Sequence, residues 1–318
     1  MRVVVTGAAG FIGSALVRHF LRPDGASAHP AGIQVVGLDS LIRTGSWSAL
    51  GQVQEHDSLS LIASSILDSR AVAEAVADAD VVIHCAAETS VDASFVRVDD
   101  FIKTNVAGTH AVLSAAETAG VDTFIHFSTD EVYGPIAQGS AQETRDANPT
   151  NPYARSKAQA EAVIMESEGL SGMRVVVVRP SNNYGPWQVA DNLIPRFVTK
   201  IVRGERVPIY GSGEQRRCWV HVEDTVAAVS TLIGNGEARG VFNIAGEELS
   251  NLDVTSHILR CLNADWSVVE HVPGRPVNDA RYCNDDSKLQ SLGYSRRRCF
   301  GEEIPAVVEH YRRRAAAQ

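Results

Sequence analysis

The first thirteen residues constrain the fold of this chain more than any other segment. MRVVVTGAAGFIG passes from a short apolar run into a turn containing Gly7, Gly10 and Gly13, and then into a helical pattern. The first glycine allows a tight turn, the second lets backbone N–H groups approach a pyrophosphate, and the third lets a helix pack closely on a strand. With a strand before it and a helix after it, this turn predicts a dinucleotide-binding βαβ unit, which a glycine triplet alone would not.

Asp39 ends the second apolar run, in VVGLDS, and indicates which dinucleotide fits. A carboxylate at this position can accept hydrogen bonds from the adenosine ribose and would repel a 2′-phosphate. We therefore expect NAD, and not NADP, as the cofactor. The alternative is a glycine turn with an unrelated aspartate after it.

Short apolar runs alternate with helical patterns over the first 180 residues. The predicted strands are Arg2–Thr6, Gln34–Leu38, Leu59–Ala63, Val81–Cys85, Thr123–Ser128 and Arg174–Val178. The predicted helices lie near Gly13–Leu21, Ser69–Ala77, Phe101–Ala119 and Tyr153–Ser167. Because the strand runs are apolar almost throughout, they suit a parallel sheet that helices cover on both faces. This pattern predicts an α/β fold with a Rossmann-type doubly wound parallel sheet.

The pattern becomes less regular after residue 180, where turn-rich segments such as SNNYGPW and YGSGEQ interrupt it. We predict that residues 1–180 form the NAD-binding domain, and that residues 218–245 return to it. Residues 181–217 and 246–318 are predicted to form a smaller, less regular domain that binds the substrate.

Charge and cysteine content exclude several classes of protein. The net charge of −9 argues against a nucleic-acid binder, because no basic face is present to neutralise phosphates. The five cysteines are an odd number without a C-x-x-C pair, so neither a disulfide framework nor a metal site is predicted. No apolar run approaches the roughly 18 to 20 residues that span a bilayer. We therefore expect a cytoplasmic protein that binds neither membranes nor metals.

Tyr153 and Lys157 lie four residues apart in NPYARSK, on one face of a predicted helix. A lysine ammonium beside a tyrosine lowers the pKa of the phenol, so the phenolate can take a proton from an alcohol while hydride leaves the same carbon. The bare Y-x-x-x-K pattern is common by chance. It becomes much more specific downstream of a dinucleotide turn and of the Ser-Thr pair that ends FIHFST.

Three polar residues, Thr129, Asp130 and Glu131, follow the fifth predicted strand in STDEVYG. Adjacent carboxylates at the carboxyl edge of the sheet would raise the pKa of one of them, and such a pair suits acid–base chemistry. Neighbouring residues in a strand point to opposite faces, so both reach one site only if the strand has already ended. The alternative is an aspartate that caps a helix beside a solvated glutamate.

With these motifs the chain resembles the extended short-chain dehydrogenase/reductases, and within them the dTDP-glucose 4,6-dehydratases. The resemblance extends over nearly the whole length and rests on AAETSVD, STDEVYG, NPYARSK, RPSNNYGPW, NLIPRFV, VPIYGSG, RCWVHVED and FNIAG. It implies a lyase that uses NAD and converts a nucleotide-diphosphate hexose into its 4-keto-6-deoxy form. In such an enzyme Tyr153 deprotonates the 4-hydroxyl, Glu131 removes the proton on carbon 5, and Asp130 protonates the departing 6-hydroxyl.

The resemblance also implies sets of binding residues and an assembly. The implied cofactor residues are Gly7, Gly10, Phe11, Ile12, Gly13, Asp39, Ala86, Asn105, Tyr153 and Lys157. The implied substrate residues are Glu88, Asn182, Asn183, Asn192, Leu193, Tyr210, Arg217 and Arg275, with Thr129 beside the hexose. For each arginine, a surface salt bridge is the alternative. A homodimer formed by Phe101–Ala119 and Tyr153–Ser167 is expected, although both helices could instead pack only on their own sheet.

Several positions depart from the usual pattern of these dehydratases, among them Ser65, Ser90, Ala93, Cys218 and Asn278. The proposed catalytic residues are all retained, so the base or the sugar of the substrate can differ while the chemistry stays the same. The alternatives are a nucleotide-sugar 4-epimerase, a uronate decarboxylase, a variant dehydratase on the same scaffold, or an NAD-binding sensor that has lost catalysis.

Overall fold

The computed structural model describes residues 1–22, 32–168, 172–273 and 279–316. Within these residues the strands are β1 (Arg2–Thr6), β2 (Gln34–Asp39), β3 (Leu59–Ala63), β4 (Val81–His84), β5 (Thr123–Phe127), β6 (Arg174–Pro180), β7 (Asn182–Tyr184), β8 (Val207–Tyr210), β9 (Arg216–His221), β10 (Gly240–Ile244), β11 (Glu247–Ser250) and β12 (Val269–Val272). Seven of them form one parallel sheet in the order β10-β6-β5-β4-β1-β2-β3. This order is that of a doubly wound sheet, and it confirms the predicted fold class.

The central strands follow the apolar runs of the sequence closely. β4, β5 and β6 are buried at every position, as expected for strands covered on both faces. Four bounds differ from the prediction: β2 continues to Asp39 and β6 to Pro180, whereas β4 ends at His84 and β5 at Phe127. The early end of β5 matters for the site, since it releases the residues that follow Ser128 from the alternation of a strand.

The helices that cover the sheet and build the second half are α1 (Phe11–Phe20), α2 (Ser69–Val76), α3 (Val91–Ser94), α4 (Val98–Phe101), α5 (Thr109–Ala119), α6 (Pro152–Ser167), α7 (Leu193–Val202), α8 (Val222–Gly234), α9 (Asn251–Leu262), α10 (Ser287–Gln290) and α11 (Phe300–Ala316). Short 3₁₀ segments lie at Ser48–Glu55, Asp130–Tyr133 and Trp266–Val268. Of the helices that the structure describes, none is long and apolar enough to cross a membrane.

The helix predicted over Phe101–Ala119 is divided in the structure. A π-helical segment, Ile102–Gly108, lies between α4 and α5. The wider turn surrounds Asn105, whose buried side chain is bonded to groups outside its own helix. Such π-helical turns are rare and are frequently found at functional sites.

Two apolar layers lie on the faces of the sheet, and a third core supports the second half of the chain. On one face α1 and α8 contribute Leu16 and Val226 to a common cluster. On the other face α2, α5 and α6 contribute Val72, Leu113 and Ile164. The third cluster joins α7, α9 and α11 to the small sheets β11-β9-β7 and β12-β8.

β10 extends the parallel sheet beyond β6, although it comes late in the chain. It lies within residues 218–245, the segment predicted to return to the first domain. α8, which precedes β10, packs against α1. The division into two domains remains a prediction.

Candidate active site

The glycine turn between β1 and α1 leaves no space for larger residues at two of its positions. Gly7 has φ +70°, and a Cβ atom there would lie 2.8 Å from the backbone nitrogen of Ala86. A Cβ on Gly13 would lie 2.1 Å from the Gly7 carbonyl oxygen. α1 begins at Phe11 with Gly10 as its N-cap, and no described side chain caps it. The N–H groups of the first turn of α1, which contains Phe11 and Ile12, are therefore available to a pyrophosphate.

Asp39 lies beside this turn at the end of β2. Its Oδ2 accepts a hydrogen bond from the Ala9 N–H at 3.0 Å, and its Oδ1 accepts one from the Leu41 N–H at 2.8 Å. A carboxylate has about four acceptor positions, so capacity remains for a ribose hydroxyl. The glycine turn, the uncapped helix start and this carboxylate together fit a dinucleotide such as NAD.

Asn105 ties the loop after β4 to helix α6. Its amide oxygen accepts from the Glu88 N–H at 2.8 Å, and its amide nitrogen donates to the Glu88 carbonyl at 2.9 Å and to the Ser156 hydroxyl at 2.9 Å. Both amide hydrogens are therefore used within the protein. In this arrangement Asn105 supports the wall of the site and does not offer a free donor to a ligand.

Tyr153 and Lys157 are held in the first two turns of α6. Asn151 is the N-cap, its Oδ1 accepting from the Ala154 N–H at 2.8 Å, and Pro152 occupies the first helical position. The two side chains are buried, with 8% and 3% of their surface exposed. The Tyr153 hydroxyl also makes a hydrogen bond with Thr129.

The pKa of Tyr153 moves in the opposite direction from the sequence-based expectation. Burial raises the pKa of the phenol, and the carboxylates of Glu131 and Asp130 raise it further, while the hydrogen bond with Thr129 lowers it. Lys157 does not reverse this shift. Burial lowers the pKa of Lys157 to about 8, against the opposing effect of the Glu161 carboxylate.

Asp130 and Glu131 lie in the 3₁₀ turn that follows β5, and the charges of both act on Tyr153. Thr129 is the N-cap of this turn and accepts from the Glu131 N–H at 3.2 Å. Asp130 therefore does not cap the turn, in contrast to the alternative raised by the sequence. The Asn151 amide donates to Glu131 Oε2 at 2.8 Å, which links the turn to the start of α6.

The surroundings of Asp130 favour the protonated form of its carboxyl group. It is 3% exposed, and its Oδ2 has no hydrogen-bond partner among the described residues. Burial raises its pKa to about 7, and the neighbouring Glu131 adds to that shift, while Arg217 opposes it. A carboxylic acid with such a pKa can give up a proton near neutral pH.

A cavity of about 310 Å³ opens in front of Glu131. Of the predicted substrate residues, the ones that line it are Asn182, Asn192, Leu193, Tyr210 and Arg217, together with Glu131. The Arg217 guanidinium stacks over the ring of Tyr282 at 4.4 Å. The Tyr282 hydroxyl donates to Asp279, which also accepts from Thr150 at 2.5 Å.

The remaining predicted substrate residues have other surroundings. Glu88 lies 3.7 Å from both Arg43 and Arg97, in ion pairs. Asn183 accepts from the Thr225 hydroxyl at 2.6 Å and donates to the Ser181 carbonyl at 2.9 Å, so its amide serves the protein framework. Arg275 and the divergent position Asn278 lie outside the described residues.

Among the residues of the cavity wall that sequence reasoning missed are Asn151, Asp279 and Tyr282. Asn151 could have been found, because an Asn-Pro pair before a helix is the signature of an N-cap. Nothing in the sequence places Tyr282 against Arg217, since β9 and the segment near residue 282 meet only in the tertiary structure.

The sequence and the structure also match known proteins. A sequence model of the NAD dependent epimerase/dehydratase family matches residues 3–245, and the chain belongs to this family. The dTDP-glucose 4,6-dehydratase of Streptomyces niveus is 40% identical over 314 residues, which are 98% of this chain and 93% of the relative. The dTDP-D-glucose 4,6-dehydratase of Mus musculus is 36% identical, covering 98% of this chain and 89% of the relative.

Comparison with solved structures finds the same kinds of enzyme. A dTDP-glucose 4,6-dehydratase from Streptomyces venezuelae, with NAD bound, superposes with a TM-score of 0.95 at 38% identity over 100% of this chain and 98% of that one. A UDP-glucuronic acid 4-epimerase from Bacillus cereus, also with NAD, has a TM-score of 0.91 at 25% identity, over 98% of this chain and 99% of that one.

Proposed function

We propose that this protein is an NAD-dependent nucleotide-diphosphate-hexose 4,6-dehydratase that acts on a substrate like dTDP-glucose. The buried carboxyl of Asp130, with a pKa of about 7 and with Glu131 beside it, is the observation that carries the proposal. The 40% identity to a dTDP-glucose 4,6-dehydratase over 98% of the chain supports the same activity. The glycine turn, the first turn of α1 and Asp39 would hold the cofactor.

Tyr153 begins the reaction by taking the proton of the sugar 4-hydroxyl. NAD, when bound, supplies the hydride acceptor for carbon 4 and later the hydride donor for carbon 6. The raised pKa of Tyr153 makes its phenolate a strong base, and protonation of Asp130 removes one of the two carboxylate charges that oppose ionisation of the phenol. Lys157, one turn along α6, provides the positive charge on this side of the site.

Elimination of water then requires a base at carbon 5 and an acid at the 6-hydroxyl. The 4-ketone makes the carbon-5 proton acidic, and Glu131 removes it while Asn151 donates to the carboxylate at 2.8 Å. Asp130 gives its proton to the 6-hydroxyl, which leaves as water. Return of a proton from Glu131 to carbon 5, together with the hydride that bound NAD would supply to carbon 6, completes the 4-keto-6-deoxy product. Transfer of the proton held by Tyr153 to Asp130 restores both groups, so the net change is the loss of one water.

Arg217 is proposed to hold the diphosphate of the substrate. A guanidinium can bind phosphate oxygens with two parallel hydrogen bonds, and stacking over Tyr282 at 4.4 Å fixes its plane. Asn182, Asn192, Leu193 and Tyr210 line the same cavity and complete the proposed nucleotide-sugar site.

A 4-epimerase is the second candidate, because the Bacillus cereus UDP-glucuronic acid 4-epimerase shares the fold at a TM-score of 0.91. An epimerase needs oxidation at carbon 4 but neither an acid for carbon 6 nor a base for carbon 5. Incubation with dTDP-, UDP-, GDP- and CDP-hexoses, followed by mass spectrometry, separates the two. Loss of one water from one of them supports the dehydratase, whereas interconversion of 4-epimers without a mass change contradicts it.

We also propose that the protein is a homodimer. Four large apolar side chains lie exposed before and within the π-helical segment, and they are Phe95, Val96, Val98 and Ile102, with 45%, 85%, 43% and 39% of their surface exposed. A second copy would cover this patch. Light scattering should report a dimer that Val96→Asp converts to a monomer and that Trp266→Asp, at another exposed apolar residue, does not; a monomeric parent protein contradicts the proposal.

The cytoplasm is the compartment that we propose. All five cysteines are free thiols in the structure, and the cytoplasm keeps thiols reduced. Cell fractionation with detection of the protein tests this, and recovery in a membrane or extracellular fraction would contradict it.

A further inference from the structure

Two thiols face each other across paired strands behind the substrate cavity. The segment around Arg281 pairs in parallel with β9, with Arg216 opposite Arg281. The Arg216 N–H donates to the Ala280 carbonyl at 2.8 Å, and the Tyr282 N–H donates to the Arg216 carbonyl at 3.2 Å. Two residues further along each of these paired segments, the Sγ atoms of Cys218 and Cys283 lie 3.4 Å apart.

The register shows which side of the strands the thiols occupy. Arg216 and Arg281 both donate to Glu248, at 2.6 and 2.9 Å, so residues opposite each other lie on the same face. Cys218 and Cys283, two residues later, return to that face. The residues between them, Arg217 and Tyr282, lie on the other face, where they stack on each other and line the substrate cavity.

The two thiols also differ in a way that suits stepwise chemistry. Cys283 is partly exposed, whereas Cys218 is buried, with 2% of its surface accessible. Burial raises the pKa of the Cys218 thiol, and Cys283 and Asp130 add to the shift. Cys283 is therefore the thiol that a reagent contacts first, and Cys218 is the thiol that can attack it in a second step. No group of three or more His, Cys, Asp or Glu residues in the described ranges is placed to hold a metal, so the pair has no third ligand here.

We propose that Cys218 and Cys283 are a redox modification site that a low-molecular-weight disulfide converts into an intramolecular disulfide, with loss of activity. The Cys283 thiolate attacks one sulfur of the small disulfide, a mixed disulfide forms, and the first small thiolate leaves. Cys218 passes its proton to that thiolate and attacks the Cys283 sulfur, which displaces the second small thiolate. The protein loses two electrons and two protons, the small disulfide gains both, and two molecules of the small thiol are formed.

The geometry predicts both that the bond can form and that it disturbs the site. Adjacent strands lie about 4.8 Å apart, which falls within the range of about 4.4–6.8 Å between the Cα atoms of disulfide-bonded cysteines. The sulfur atoms, now 3.4 Å apart, must approach to about 2.05 Å. This movement acts on the backbone that carries Arg217 and Tyr282, and a displacement of about 1 Å in such positioning residues can lower rates about a hundredfold.

The test uses the full-length protein and oxidised glutathione as the small disulfide. Cys299→Ala removes the exposed cysteine, so it serves as the parent. Intact mass should show loss of two hydrogens, peptide mapping should link Cys218 to Cys283, and kcat/KM should fall at least tenfold and recover with dithiothreitol. Cys283→Ala, and separately Cys218→Ala, should retain activity in the reduced state and resist the oxidant.

Three results would overturn the proposal: free thiols at both positions after treatment, a mapped disulfide with unchanged kcat/KM, or equal inhibition of the Cys283→Ala variant. The activity readout rests on the proposed dehydratase function, whereas peptide mapping does not. A mapped disulfide in a protein without dehydratase activity would therefore refute the proposed function while leaving the thiol chemistry established.

Discussion

Replacement of Glu161 by glutamine removes one charge from a buried ion pair behind the proposed active site. Arg179, near the end of β6, donates from Nε to Glu161 Oε1 at 3.0 Å and from Nη2 to Oε2 at 2.5 Å. The side chains are 8% and 7% exposed. The guanidinium also lies 4.6 Å from the centre of the Tyr133 ring, in the turn that contains Asp130. One pair therefore couples α6, β6 and that turn.

The expected effect on stability is large because Arg179 would remain buried without its counter-ion. Removal of one partner from a buried pair costs about 3–5 kcal/mol of the free energy of unfolding. At about 2–4 °C per kcal/mol, the melting temperature of Glu161→Gln should fall by on the order of 10 °C. Glu161 is also the largest influence that raises the pKa of Lys157, which burial has lowered to about 8. Without the Glu161 carboxylate the pKa of Lys157 falls further. As the pH is raised, Lys157 then loses its charge earlier, so the alkaline decline of turnover begins at a lower pH than in the parent protein.

Thermal unfolding and the pH profile of kcat measure these two effects. Glu205→Gln is the matched control, because it breaks the exposed Lys200–Glu205 pair of 2.8 Å and should barely change the melting temperature. The double variant Glu161→Gln/Arg179→Met removes both buried charges and should regain part of the lost stability. Equal melting temperatures for Glu161→Gln and Glu205→Gln would refute the reasoning.

Three further predictions concern catalysis and binding. Because Asp130 must carry a proton and has a pKa of about 7, the rate of water loss should decline above pH 7. Asp130→Asn should abolish this alkaline decline and lower kcat by about a hundredfold or more. An unchanged pH profile in Asp130→Asn would contradict the acid role. Gly13→Ala places a Cβ 2.1 Å from the Gly7 carbonyl, so calorimetry should detect no NAD binding, whereas Gly236→Ala, with open space around it, should bind normally. Arg217→Lys loses the forked contact to a diphosphate and should raise KM about tenfold with a smaller change in kcat, and an unchanged KM would remove Arg217 from the substrate site.

The sheet could be predicted from the sequence because its strands are buried on both faces. Continuous apolar runs such as the one that begins at Val81 mark these strands, and the glycine turn fixes where the first one ends. The π-helical segment could not be predicted in the same way. It depends on hydrogen bonds from Asn105 to Glu88 and Ser156, which are 17 and 51 residues away in sequence.

The site could be predicted in its residue types but not in its electrostatics. Because β5 ends at Phe127, Asp130 and Glu131 are free of the alternation of a strand, and both carboxylates act on Tyr153. Spacing alone indicated a lowered pKa for Tyr153, yet burial and the two carboxylates raise it. Contacts such as Arg217 over Tyr282 join segments with no local signal, so their discovery required the tertiary structure.

Reaction with dTDP-glucose in deuterated water, comparing the parent protein with Glu131→Gln, tests the central claim most directly. For the parent protein we predict loss of one water and incorporation of deuterium at carbon 5, because Glu131 exchanges its proton with solvent before returning it. For Glu131→Gln we predict that oxidation at carbon 4 survives, seen as the absorbance of the reduced nicotinamide, while water loss falls at least a hundredfold. Elimination by Glu131→Gln at the parental rate would contradict the assignment of the base, and a parent protein that yields only the 4-epimer would contradict the function itself.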